Sequence, residues 1–157
     1  MGDEYMEGFF ELLENTYLLT AVVAWITCQV LKVITHAIAY KELDLRRFFG
    51  DGGMPSAHTA TVTSLAASSA IVYGLGSFQF AVCAIITVVI CRDAVGVRME
   101  TGKQAQIINE LRQILESSDT AEIKLKEFVG HTPFQVLMGA VLGVIVAICM
   151  GFVFGQF

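Results

Sequence analysis

Apolar residues dominate four stretches of the chain, at about residues 17–38, 55–75, 78–97 and 133–154. A helix needs about 20 mostly apolar residues to cross the hydrocarbon core of a bilayer. The pattern therefore predicts four transmembrane helices. The second and third stretches are separated only by Gly74-Leu75-Gly76-Ser77, which makes them a tight antiparallel hairpin. The second is rich in small residues (Ala60, Ser64, Ala66, Ala67, Ser68, Ser69, Ala70), and the fourth carries Gly139 and Gly143 one turn apart. Small residues let helix backbones approach closely in lipid. The same glycine pair is a candidate contact in a homodimer.

Residues 98–132 join the third and fourth stretches and are more than a linker. Ile107, Ile108, Leu111, Ile114 and Leu115 fall on one helical face, the 3.6-residue period of an amphipathic helix. Thr101 with Gln104 reads as a capping box opening that helix. Asp119 and Glu122 open a second short helix that ends at Gly130. The expected fold is all-α: one membrane domain over residues 1–157, a polytopic bundle of four spans with short amphipathic helices in its cytoplasmic loop.

Composition sharpens this picture. The chain is 55% hydrophobic and 16% charged, against about 45–50% and about 25% in soluble domains. Its ten Lys and Arg are distributed unevenly. Lys41, Arg46 and Arg47 lie between the first two stretches, and Arg98, Lys103, Arg112, Lys124 and Lys126 between the last two. Lys32 and Arg92 lie inside stretches, and none lies at either terminus or in the hairpin turn. Positive charge marks the cytoplasmic side, so both long loops are expected there and both termini opposite. The acidic start (Asp3, Glu4, Glu7) is unlike a secretory leader, so the first apolar stretch is expected to be retained. A net charge of −5 excludes a nucleic-acid partner, which would demand a basic face. Cys28, Cys83, Cys91 and Cys149 all sit in apolar stretches without a Cys-x-x-Cys pair, as small hydrophobes do.

Polar residues in apolar surroundings point to chemistry. Gln29, Lys32 and His36 share one face of the first span. An ionisable residue there either snorkels to the interface or faces the bundle interior with a partner. Arg92-Asp93 closes the third span, either as a local ion pair or as part of a site. Gly52-Gly53-Met54-Pro55-Ser56-Ala57-His58 opens the second span, and Gly130-His131-Thr132-Pro133-Phe134-Gln135 opens the fourth. Proline suits the first helical turn, and Thr132 with Gln135 forms a capping box. Spans two and four run in the same direction. Each therefore presents a positive helix end, a natural anion site, with a histidine beside it.

These residues resemble the type 2 phosphatidic acid phosphatase superfamily, which also contains vanadium haloperoxidases and bacterial acid phosphatases. Its pattern is Lys-x6-Arg-Pro, Pro-Ser-Gly-His and Ser-Arg-x5-His-x3-Asp. Pro55-Ser56-Ala57-His58 resembles the middle motif, and His131 through Gln135 resembles the end of the last. The likeness is nearer to a divergent branch related to acid phosphatases and haloperoxidases. It covers nearly the whole chain, through Gln29-x2-Lys32, Gly52-Gly53-Met54-Pro55-Ser56-x-His58, Asp93-Ala94-x-Gly96-Val97-Arg98, Gly102-Lys103-Gln104-Ala105, Asn109 and Gly130-His131-Thr132-Pro133. Departures are plain: no Arg-Pro follows Lys32, no Ser-Arg precedes His131, and Gln135 stands where the superfamily has an acid.

The resemblance implies an integral-membrane lipid phosphate phosphatase with His131 as nucleophile, His58 as general acid and Gln135 orienting His131. Lys32, Arg46, Arg47, Gly53, Ser56, Arg98 and Lys103 would hold the phosphoryl oxygens, and Asp93 is the candidate acid partner. It implies no metal and no cofactor. Candidate substrates are phosphatidylglycerophosphate, phosphatidic acid and prenyl diphosphates, met among membrane lipids on the cytoplasmic leaflet. The alternative is a non-catalytic lipid- or anion-binding membrane protein that keeps the phosphatase fold.

Overall fold

Side-chain caps set where the helices begin. In the computed structural model, which describes residues 2–50, 53–115, 125 and 130–157, six α-helices account for most of the chain: α1 (Gly2–Glu14), α2 (Thr16–Tyr40), α3 (Ala57–Tyr73), α4 (Phe78–Val95), α5 (Val97–Leu115) and α6 (Pro133–Val153). The Asn15 side chain accepts from the Tyr17 and Leu18 N–H groups, Ser56 from Thr59, Ser77 from Phe80 and Thr132 from Gln135. Each cap satisfies a donor that the first helical turn leaves without a partner. A short 3₁₀ helix, Leu45–Phe49, packs on α2 through an edge-on contact of Phe48 with Trp25.

Three of these elements are long and apolar enough to cross a membrane: α2, the nearly continuous rod of α4 and α5, and α6. The expectation of four spans therefore meets three qualifying helices. The α3 helix has 17 residues, about 25 Å of rise, and much of its surface is Ser, Thr and Ala. It occupies the middle of the bundle, packed on α2, α4 and α6. Against α2 it runs antiparallel: the Cys28 thiol donates to the Pro55 carbonyl at one end, and Tyr17 stacks on Tyr73 at the other. Against α4 it forms the expected hairpin, tied by the Thr87 hydroxyl donating to the Val62 carbonyl at 3.1 Å. The large apolar side chains of α4, including Ile85, Val88 and Val89, point outward.

The α3–α6 pair is parallel and very close. A Cβ at Gly139 would stand 2.5 Å from the Ser56 carbonyl oxygen, and one at Gly143 would stand 2.5 Å from that of Ala60. No real Cβ fits there, so glycine alone permits this approach. Both glycines are buried against α3, so the close contact they permit is made within the chain. Two further expectations change. Helix α5 begins at Val97, so Thr101 is inside it and its hydroxyl bonds back to the Val97 carbonyl at 2.9 Å. The chain needs no new cap there because α4 is broken only at Gly96. The acidic N-terminal segment is itself helical as α1, with Tyr5, Met6, Phe9, Phe10, Leu12 and Leu13 exposed. The short helix expected from Asp119 lies outside the described residues.

Candidate active site

The parallel pair brings two helix N-termini together at one end of the bundle. The Ser56 N–H donates to the Gln135 carbonyl at 3.1 Å, tying the first turn of α6 to the cap of α3. The C-terminal part of α2 and the α4–α5 junction reach the same end, so three further helices flank the two caps.

His131 is fixed there from three sides. Its N–H donates to the Ala94 carbonyl at 3.0 Å, at the end of α4. Gly130 precedes it in a left-handed conformation, φ +101, and a Cβ there would fall 2.6 Å from the Met99 nitrogen. The chain can thus lie directly on the α4–α5 junction. One helical turn on, Gln135 Oε1 stands 3.3 Å from His131 Nδ1 and also accepts the Thr132 N–H at 3.0 Å. An amide oxygen only accepts, so Nδ1 carries the ring proton and Nε2 keeps its lone pair.

The ring is only 5% exposed. Burial pushes the His131 imidazole below its ordinary value of 6.5, against the hydrogen bond it donates to Gln135, which pulls it up; the charges of Lys32, His58 and Arg98 lower it further. Lys32 of α2, His58 of α3 and Arg98 of α5 therefore lie within electrostatic reach of this imidazole. Lys32 is 6% exposed, so it does not snorkel to the interface. Its Cγ lies 3.9 Å from where a Cβ on Gly53 would be, so the Gly53 turn (φ +83) passes over its stem.

Other sequence candidates are placed differently. Asp93 pairs with Arg98, with Nε to Oδ2 at 2.7 Å, and among the described residues it has no ion pair with Arg92 or an imidazole. The Ser56 hydroxyl is fully buried and shared with Thr59, accepting from its N–H and its hydroxyl. Ser56 therefore works as a cap in this structure. Lys103 pairs with Glu100 on the exposed face of α5 at 2.7 Å. Arg46 is exposed on the 3₁₀ helix, and the Arg47 side chain lies outside the described residues. Among the described residues no cluster of His, Cys, Asp and Glu could hold a metal ion.

The model of the divergent PAP2 family matches residues 13–146. The chain belongs to this family. It is also 38% identical over 156 residues to YuiD of Bacillus subtilis (strain 168), described as an uncharacterized membrane protein; the alignment covers 92% of this chain and 99% of that protein. No solved structure matches the chain.

In this divergent PAP2 protein, three features around the site are not legible from residue type alone. The Ala94 carbonyl acts through its backbone, which no residue type announces. Gly130 reads in sequence as the end of a helix, whereas its conformation serves contact with Arg98 and Met99. Gln29, 5% exposed, has a buried Oε1 without a hydrogen-bond partner. Its signal was present, an amide three residues before Lys32 on one helical face, but nothing in the spacing separates a packed amide from one that awaits a ligand.

Proposed function

We propose that this divergent PAP2 membrane protein hydrolyses phosphate monoesters of lipids through a phosphohistidine on His131. The observation that carries the reading is a buried His131, held by the Ala94 carbonyl and Gln135 where two helix N-termini meet. His131 Nε2 attacks the phosphorus while the P–O bond to the lipid alcohol breaks. His58 gives its proton to the leaving alkoxide. Water then attacks the phosphohistidine, His58 takes the water's proton, and the P–N bond breaks to release inorganic phosphate and restore His131. Lys32, Arg98 and the backbone around Gly53 stabilise the charge that builds on the phosphoryl oxygens. Gln135 holds the ring tautomer, as a triad carboxylate does, but adds no charge to steady an imidazolium.

The short α3 completes a four-span bundle in this reading. It runs antiparallel to α2 along its length, so a chain that crosses with α2 returns with α3 before crossing again with α4. The bias of Lys and Arg supports a site at the cytoplasmic rim, beside phosphatidic acid, phosphatidylglycerophosphate or prenyl diphosphates. Labelling a single cysteine at position 103, in a background without the native four, tests this: reaction with a membrane-impermeant thiol reagent in intact cells would place the loop outside.

The deciding assay is phosphate release by detergent-solubilised protein across those three substrate classes. His131→Ala and His58→Ala should each slow release by at least about 10²-fold, and an unchanged rate in both removes the enzyme. The uncharged Gln135 favours a second reading, a binding protein without turnover. Binding of every lipid with release of phosphate from none would select it.

A further inference from the structure

Lys32 does not stand alone on the inward face of α2. Gln29 lies one turn before it on the face that α2 turns to α3 and α6, with Thr20, Ala21, Ala24, Cys28 and Val33 buried alongside. The Gln29 side chain is 5% exposed, and its Oε1 is buried with no hydrogen-bond partner. Such an atom is costly in a helical bundle surrounded by lipid, where water does not satisfy it. It needs a donor that the described residues do not supply.

Position decides which donor. The site is at the C-terminal end of α2, so Gln29 is about 4.5 Å further from the rim than Lys32 along the helix axis. A lipid phosphate bound near Lys32 keeps its chains in the bilayer, so its alcohol portion extends from the phosphate towards Gln29. An acceptor there distinguishes alcohols by what stands on the carbon next to the phosphate-bearing one. A free hydroxyl donates to Oε1, whereas an acyl ester has only acceptors and leaves the amide unsatisfied.

We infer that Gln29 is a specificity-determining residue, which accepts a hydrogen bond from a hydroxyl on the carbon adjacent to the phosphate ester and so selects lipids with a β-hydroxy leaving alcohol. This rests on the phosphatase reading above. A site built to bond a hydroxyl discriminates strongly against an analogue without it, because its own polar atom stays buried and unpaired.

The test uses two substrates that differ in one oxygen, 1-oleoyl lysophosphatidic acid and its 2-deoxy analogue, with kcat/KM for phosphate release as the readout. The wild-type protein should prefer the hydroxyl-bearing lipid by at least about tenfold, a ratio that needs no variant. Gln29→Met keeps the length of the side chain and removes the acceptor, and Gln29→Asn withdraws it by one methylene; either should bring the ratio to within about twofold of unity. A purely packing role for Gln29 would move both substrates together and leave the ratio at its wild-type value. A wild-type ratio near unity, or a ratio unchanged in both variants, overturns the inference while the phosphatase stands. Release from neither lipid, nor from phosphatidic acid, phosphatidylglycerophosphate or a prenyl diphosphate, removes the phosphatase and this inference with it.

Discussion

Replacing Gly139 by Ala tests whether the α3–α6 contact holds the site together. The new Cβ would lie 2.5 Å from the Ser56 carbonyl oxygen, 3.1 Å from Thr59 Cβ and 3.2 Å from Ser56 Cβ. Ordinary contact begins near 3.4 Å, so the helices must part by close to 1 Å, and the nearest obstacle is rigid backbone. Overpacking of this kind costs about 1–3 kcal/mol. It also acts at the cap of α3, two residues before His58, and across the Ser56–Gln135 bond that links the two helix ends. A displacement of about 1 Å between reacting groups costs about 10²-fold in rate. Gly143→Ala meets a similar obstacle, 2.5 Å from the Ala60 carbonyl oxygen, one turn further from the site. Both variants should lower the midpoint of thermal unfolding in detergent by similar amounts. Gly139→Ala should cut phosphate release about 10²-fold, and Gly143→Ala by less than about tenfold. Equal rate losses would mean that the contact serves stability alone. A Gly139→Ala protein with wild-type rate and stability would show that α3 and α6 are not packed as described.

Further expectations follow from the surroundings of His131. In the folded protein its imidazole titrates below 6.5, so its contribution to stability is complete above that value and is lost as pH falls through the lowered one. The NMR titration of its ring should show this midpoint directly. Lys32→Met should raise that midpoint more than Arg98→Gln does, because Lys32 contributes more to the lowering; a midpoint unmoved by both would refute the electrostatic proximity. Gly130→Ala places a Cβ 2.6 Å from the Met99 nitrogen at φ +101, costing at least about 1–3 kcal/mol in backbone strain. It should slow phosphate release and move the His131 midpoint, and wild-type behaviour in both would exclude the contact. Asn109 holds the Leu125 backbone at both ends, donating to its carbonyl at 2.9 Å and accepting its N–H at 3.0 Å. Asn109→Ala should therefore speed amide exchange at Leu125, at about 1 kcal/mol per bond lost, without changing the site.

What the sequence made legible was mostly local. The Thr132–Gln135 capping box is read from residues three apart and recurs in the structure, because a cap depends only on its own first turn. The apolar stretches likewise predict α2, α4 and α6 to within about two residues at each end, since burial in lipid sets their length. Relations between helices were less accessible. Gly139 and Gly143 announce close packing but not the partner, and the partner is α3 of the same chain. Lys32 gives no sign in sequence of whether it snorkels or is buried; its burial involves the Gly53 turn, which passes over its stem. The Thr101 capping box failed because its pattern also fits a threonine bonding to the carbonyl four residues back inside a helix. Helix α1 was missed because its acidic residues read as a charged tail rather than as one face.

The electrostatics of the α3–α6 pair bear on why such an arrangement exists. Each helix carries about half a positive charge at its N-terminus, and parallel packing sets two such ends side by side. In lipid, where screening is weak, that juxtaposition opposes itself, and an antiparallel pair would avoid it. The close contact at Gly139 and Gly143 and the Ser56–Gln135 bond hold the ends together nonetheless. Burial already disfavours protonation of His131, and Lys32, His58 and Arg98, the last paired with Asp93, add to it. A bundle shaped by stability alone gains nothing from this concentration. In the proposed reaction a bound phosphoryl group would bring an opposite charge to the two helix ends and the three side chains at once. In that reaction the relief would be greatest where negative charge peaks, as the phosphoryl group passes between the lipid oxygen and the imidazole nitrogen.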